Sequence, residues 1–277
     1  MAKKQSEENS TEQTPISERL GNNVESVVEG AEREVSGSRR TWYQSVQWGR
    51  ILIILDAILL ALFALLAWWV HVHPVLAIDV TITREFQENQ SPWLSTFMIA
   101  VSYIGNTLPL QIGLILLAAV LLWMVRLYLE AVMVVVVSAI SALLNISIKL
   151  LVDRPRPNSH LVDVIQHANG MSFPSGHVMS YVAFWGLLFS FGVILFTGRR
   201  WWRIALLVIS GLFVVLVGPS RIYLGDHWAS DVLGGYIFGG VWLCIALLIY
   251  LQLRERGVLV WKGQRGRFLQ KYLRNSG

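Results

Sequence analysis

Charge is scarce in this chain: Asp, Glu, Lys and Arg together make up 15% of it, while 54% is hydrophobic. A water-soluble domain needs a charged exterior, and apolar runs of eighteen or more residues read as membrane spans. The 277 residues therefore predict one helical bundle in a membrane and not two soluble domains. Cysteine is nearly absent. The lone Cys244 excludes an intrachain disulfide, and its place in a late apolar run reads as packing. No HExxH, no CxxC and no carboxylate cluster at metal-ligand spacing occurs, so neither a metal nor another cofactor is expected. The lack of a Walker-type loop argues against nucleotide hydrolysis, and no nucleic-acid partner is expected. No internal repeat supports an inverted-repeat transporter. Residues 1–40 contain no apolar stretch, so no cleaved signal peptide is expected and the first apolar run is read as an uncleaved anchor.

What is present is six apolar runs, near 51–70, 107–124, 130–150, 178–197, 203–219 and 231–251. They predict an all-α fold, a polytopic six-transmembrane-helix bundle. Residues 79–105 read as a short interfacial or re-entrant segment that Gly105 breaks. Outside the motifs described below, Lys and Arg fall at Arg39, Arg40 and Arg50, then at Arg126, then at Arg199, Arg200 and Arg203. The last group is Arg254, Arg256, Lys262, Arg265, Arg267, Lys271 and Arg274. With six spans all four groups lie on one side, which the positive-inside bias makes cytoplasmic. Both termini are then cytoplasmic, and loops 71–106, 151–177 and 220–230 face outward. The compact loops suggest a bacterial inner membrane. Trp68, Trp69, Trp123, Trp201, Trp202 and Trp228 fall at span ends, the positions of an interfacial belt. Asp56, inside the first span, is expected to snorkel toward Arg50 and the cytoplasm. In the polar N-terminal region, Val24, Val27, Val28 and Val35 form a weak amphipathic pattern. The basic C-terminal tail reads mainly as a topology signal, with anionic headgroups as a lesser partner.

Three polar clusters interrupt the apolar chain, and all map to the predicted outer end. Asn145 and Lys149 are four residues apart and share a helical face; the chain then runs through Asp153-Arg154-Pro155-Arg156-Pro157. Its two prolines stop the helix and present Arg156 on a stiff strut. A lysine charge beside a forked guanidinium suits a tetrahedral oxyanion. In Phe173-Pro174-Ser175-Gly176-His177 a turn opens a helix, whose free N–H groups and dipole form an anion site. Ser175 adds a hydroxyl, Gly176 permits close approach, and His177 stands on the first turn. Ser220-Arg221 ends the fifth span, and His227 precedes Asp231 by four residues. If the helix has begun by His227, the two share a face. The carboxylate then orients the imidazole and leaves its other nitrogen for substrate. Asp226 is expected to point elsewhere, with no catalytic part, and Arg154 is an extra cation without an assigned one. Gly235 and Gly239 read as a close helix contact. His71, His73, His160 and His167 lie in or beside the outer loops without a motif.

Taken together, the clusters resemble the type 2 phosphatidic acid phosphatase (PAP2) and vanadium haloperoxidase superfamily, membrane lipid phosphatase branch. Its pattern is K-x6-R-P, P-S-G-H and S-R-x5-H-x3-D, and all three parts occur here in order over about 105–251. The resemblance implies that Lys149, Arg156, Arg221, Ser175 and Gly176 bind a phosphate. It implies that His227 attacks phosphorus, Asp231 orients it, and His177 protonates the leaving group and then activates water. The expected enzyme is a metal-independent phosphatase of a phosphorylated membrane lipid: phosphatidic acid, phosphatidylglycerophosphate or an isoprenoid diphosphate. A phosphotransferase would carry the same motifs, and a non-catalytic lipid-binding scaffold should have lost a motif histidine. The expected division is a polar tail at 1–45, the first helix with its outer segment at 46–104, the phosphatase core at 105–251, and a basic tail at 252–277.

Overall fold

The computed structural model describes residues 46–166, 168–196 and 200–259, with side chains except at 46–51 and 104–106. The valines of the N-terminal tail, Arg39, Arg40, His167, Arg199 and the basic residues from Lys262 onward lie outside the described residues. The described chain is helical with no strand. We number its helices α1 Val46–Val72, α2 Ala77–Gln87, α3 Pro92–Asn106, α4 Leu108–Met124, α5 Tyr128–Val152, α6 Gly176–Ile194, α7 Trp201–Tyr223 and α8 Ala229–Glu255.

Five of these, α1, α5, α6, α7 and α8, are long and apolar enough to cross a bilayer. The α4 helix has 17 residues, at the short limit for a span. It meets α3 at a bend of 60°, and the pair taken as one broken span makes a sixth candidate crossing. The break does not fall at Gly105, as the sequence suggested. The helix runs to Asn106, and the turn comes at Thr107, in extended backbone ahead of Pro109. A proline in the first turn suits the start of a helix, where its missing N–H would have no helical partner anyway.

The α6 helix is the most enclosed span, with α5, α7 and α8 packed around it. Its ladder loosens into a π-helical segment over Val182–Gly186. Close packing of α8 on α6 depends on two glycines. A side chain on Gly235 would meet Val178 at 2.9 Å and the Ser175 carbonyl at 3.0 Å, and one on Gly239 would meet Val182 at 3.1 Å. The end of α7 is shaped by Pro219, which cannot donate to the carbonyl of Val215. The Tyr236 hydroxyl from α8 donates to Val214 O at 2.7 Å and Val215 O at 3.2 Å, and accepts Gly218 N–H at 3.0 Å. That contact fixes the turn carrying Ser220 and Arg221 against α8.

The α2 helix inverts the usual amphipathic pattern. Asp79, Thr83 and Gln87, spaced by four, are buried, while Ile78 and Phe86 face outward. The polar stripe therefore points into the protein, as suits a helix lying against the bundle in apolar surroundings. It clamps the loop between α5 and α6. Gln87 donates to Asp163 O at 2.7 Å and Tyr223 O at 2.9 Å, and Arg84 donates to Leu161 O at 2.9 Å.

Two further expectations need correction. Trp228 is fully buried and donates its indole N–H to Pro155 O at 3.2 Å, so it packs under the loop and is not a belt residue. Trp68, Trp69, Trp123 and Trp201 are exposed at span ends. Asp56 does not snorkel. It is buried against α8, hydrogen-bonded to the Cys244 thiol.

Substituting Gly235→Ala should lower stability by about 1–3 kcal/mol, read from unfolding in detergent. Gly240→Ala, where an added methyl meets nothing within 4 Å, should not lower stability and should raise it by up to about 1 kcal/mol.

Candidate active site

The ends of α5, α6, α7 and α8 that carry the three motifs lie together at one end of the bundle. The α5 helix stops at Val152, where Asp153 adopts a left-handed φ of 47° and returns its N–H to Lys149 O at 3.0 Å. Pro155 and Pro157 keep the exit extended. Lys149 donates to the carbonyls of Met171 and Ser172, so it ties α5 to the stretch leading into α6. Asn145, one turn earlier, donates to Pro174 O at 3.1 Å, and its side chain occupies the space a Cβ on Gly176 would need. The Ser175 N–H donates to Asp231 O at 3.0 Å. The start of α6 is thus held by α5 on one side and α8 on the other.

Between α7 and α8 the chain turns at Gly225, with φ of 70°. A side chain there would strike the Asp163 carbonyl at 2.2 Å, so only glycine fits. This turn swings His227 back over the site. Asp231 lies in the first turn of α8 and accepts the Trp228 N–H at 2.9 Å. His227 precedes the helix, so the pair meets because Asp231 caps its own helix, not through a shared helical face. His227 Nδ1 lies 3.5 Å from Asp231 Oδ2 and 3.4 Å from Ser172 Oγ. Ser172 Oγ donates to Asp231 Oδ2 and so bridges the two. His227 Nε2 faces Arg156 Nη1 at 3.3 Å. An arginine N–H can only donate, so Nε2 presents its lone pair and the proton sits on Nδ1.

Arg156 also donates to Gly170 O at 3.1 Å and Asp226 O at 2.8 Å. Arg221 is fully buried, paired with Asp226 and bonded to Ser102 of α3. Asp226 therefore turns into the site, contrary to expectation. Among the described residues, the buried polar atoms without a hydrogen-bond partner include Ser175 Oγ and His177 Nε2, both in this site. His177 is within electrostatic reach of Arg221, His227, Arg156 and Lys149. Buried polar groups normally find partners, and an anion with acceptor oxygens would satisfy both. Burial, reinforced by the positive charges of Arg156, Arg221 and Lys149, holds the His227 imidazole well below the ordinary histidine range.

All eight residues singled out from the sequence, Lys149, Arg156, Ser175, Gly176, His177, Arg221, His227 and Asp231, stand at this end of the bundle. Five partners were missed: Asp79, Ser102, Ser172, Asp226 and Ser230. Ser172 lies two residues ahead of Pro174, and its nearness to the motif was the one available signal. Asp79 and Ser102 come from a segment placed outside the core; α3 runs across the division expected at 104/105. Of the other histidines, His71 bonds Val152 O at 2.9 Å through Nδ1 and braces α1 against the end of α5.

Fold and site define a multi-pass membrane protein in which cations and two histidines gather at one end of the helical bundle. The sequence model of the PAP2 superfamily matches residues 130–255. The chain is 29% identical over 179 residues to phosphatidylglycerophosphatase B of Bacillus subtilis (strain 168), covering 64% of this chain and 85% of that protein. It is 28% identical over 167 residues to YbjG of Escherichia coli (strain K12), provisionally named an undecaprenyl-diphosphatase, covering 58% and 76%. The crystal structure of a transmembrane PAP2-type phosphatidylglycerolphosphate phosphatase from Bacillus subtilis superposes with a TM-score of 0.63. That match has 26% identity and covers 72% of this chain and 96% of that one. Residues 130–255, the stretch that carries all three motifs, are thus similar to the PAP2 superfamily.

A pH titration of 15N-histidine-labelled protein in detergent should show His227 neutral at about pH 6, with the proton on Nδ1. A midpoint at or above the ordinary histidine value of 6.5 would contradict the electrostatics of the pocket.

Proposed function

We propose that this protein hydrolyses the phosphomonoester or diphosphate of a membrane lipid through a phosphohistidine on His227. The observation that carries the proposal is the lone pair of His227 Nε2 aimed at Arg156, 3.3 Å away, beside the unpartnered His177 Nε2 and Ser175 Oγ. A phosphoryl group entering there meets a nucleophile, cations for its oxygens and a second imidazole. That is the set phosphoryl transfer requires, since its transition state spreads charge over three oxygens.

Lys149, Arg156 and Arg221, with Ser175 and the Gly176 N–H, hold the phosphate. His227 Nε2 attacks phosphorus; the P–N bond forms as the P–O bond to the lipid breaks. His177 gives its proton to the departing oxygen, its protonated form being favoured by the charge of the bound phosphate. Asp231 faces the Nδ1–H and stabilises the imidazolium. His177, now neutral, takes a proton from water as that water attacks phosphorus. The P–N bond breaks, inorganic phosphate leaves, and both histidines return to their starting forms.

A lipid substrate is supported by the relatives, one named for phosphatidylglycerophosphate and one for undecaprenyl diphosphate, and by a site at the end of an apolar bundle. Arg126, Arg200, Arg203, Arg254 and Arg256 lie at the opposite end. The positive-inside bias favours that end as cytoplasmic, with the site outside a bacterial inner membrane. The functional core of 105–251 is extended by the segment 77–103, which supplies Asp79 and Ser102.

Phosphate release from a panel of phosphatidylglycerophosphate, phosphatidic acid and undecaprenyl diphosphate, in EDTA, tests the proposal. His227→Ala should abolish turnover and the acid-labile phosphoenzyme. His177→Ala should reduce turnover by about 10²–10⁴-fold. Turnover like that of wild type in His227→Ala protein would overturn the assignment of the nucleophile.

A further inference from the structure

Arg154 and Asp79 lie outside the phosphate pocket, yet both are almost fully buried, at 1% exposure each. Arg154 spends its guanidinium on other parts of the protein. Nη1 donates to Asp231 Oδ1 at 2.5 Å and Ser230 Oγ at 2.7 Å, Nη2 to Asp79 Oδ2 at 2.7 Å, and Nε to Pro74 O at 2.8 Å. Asp79 closes the ring. Its Oδ1 accepts Ser230 N–H at 2.9 Å, and its Oδ2 accepts the Ser230 hydroxyl at 2.6 Å. Three segments distant in sequence, α2, the loop after α5 and the first turn of α8, are joined by one cation shared between two carboxylates.

We propose that Arg154 and Asp79 are positioning residues for the reaction: they fix the rotamer of Asp231 and set how much of its negative charge reaches His227. The inference rests on the reading of His227 as nucleophile. Both Asp231 oxygens are engaged, Oδ1 by Arg154 and Oδ2 by Ser172 and the Trp228 N–H. The carboxylate cannot rotate away from Nδ1. The charge balance matters as much. A buried carboxylate without a cation would draw a proton onto the neighbouring imidazole, which would then have no lone pair for attack. A carboxylate neutralised by a cation of its own would give little support to the imidazolium formed during attack. Asp79 claims part of Arg154, so Asp231 sits between these limits.

His227 is surrounded by charged and titratable groups from every packed element. They are Lys149 of α5, Arg154 and Arg156 of the following loop, His177 of α6, Arg221 of α7, Asp226 of the turn and Asp231 of α8. Neither Arg154 nor Asp79 bonds to a residue of the phosphate cradle other than through Asp231, so substituting them should alter kcat and its pH dependence and leave KM nearly unchanged.

The test compares kcat/KM against pH for wild type, Arg154→Gln, Arg154→Lys and Asp79→Asn on one lipid phosphate, whose own ionisation is common to all curves. Arg154→Gln removes the cation from Asp231, so His227 should hold its proton to higher pH. Its acid limb should move up by about one pH unit, with kcat down about tenfold or more. Asp79→Asn gives Arg154 wholly to Asp231. Its kcat should fall severalfold, and its acid limb should move down or stay in place. Arg154→Lys, which keeps the charge and loses the fork, should restore the acid limb and not kcat. Limbs that coincide in all four proteins, or move upward in Asp79→Asn, overturn the inference. Should Arg154→Gln fail to fold, Asp79→Asn decides: reduced kcat at unchanged KM supports the proposal, and kcat like that of wild type overturns it. Failure of the underlying reading looks different. Wild-type protein would then form no phosphoenzyme, and His227→Ala would keep its turnover.

Discussion

A carboxylate cut off from water must be compensated by its neighbours, because isolated burial of its charge is prohibitively costly. Asp231 is fully buried, and the end of the bundle that holds it is arranged around that requirement. Its oxygens are met by Arg154 from the loop after α5, by Ser172 from the stretch before α6, and by the opening backbone of its own helix. Its main-chain carbonyl holds the first turn of α6. One residue therefore specifies how four parts of the chain meet, and the position of His227 follows from that meeting.

The bilayer imposes the second constraint. Helices that cross it satisfy their own backbone hydrogen bonds, but their ends do not. Polar chemistry accordingly collects where α5, α6, α7 and α8 terminate. The inverted amphipathic α2 belongs to the same logic. Asp79, Thr83 and Gln87 serve the loop and the site, while Ile78 and Phe86 face outward. At the other end of the bundle, a buried Glu130 accepts the Tyr250 hydroxyl at 2.7 Å, and Arg254 donates to that same hydroxyl at 2.8 Å. That contact ties the start of α5 to the end of α8, so the two helices are joined near both ends.

The pocket combines rigidity with unsatisfied chemistry. Lys149, Arg156 and Arg221 all have protein partners, which fixes their positions without an anion. Ser175 Oγ and His177 Nε2 do not, and these two atoms mark where the chain stops serving its own fold. Preorganised cations are the electrostatic requirement for phosphoryl transfer.

Much of this was legible before any coordinates. Six apolar runs predicted the spans, because each span must be apolar along its own length, a property local to the sequence. The eight site residues stood out because Lys, Arg, His and Asp are conspicuous in an apolar chain and recur at a spacing known from a family. Asp79 and Ser102 were not legible, since their partners Arg154 and Arg221 lie 75 and 119 residues away in sequence. Asp226 and Trp228 were misread for the same reason. A turn residue's direction is set by what packs against it, here Arg221 and the Pro155 carbonyl. The sequence by itself determined that the chain is a helical membrane protein and which polar residues stand out within it. Only the tertiary structure decided which cation meets which carboxylate, because those pairings depend on where separate helices end in space, and no local pattern encodes that.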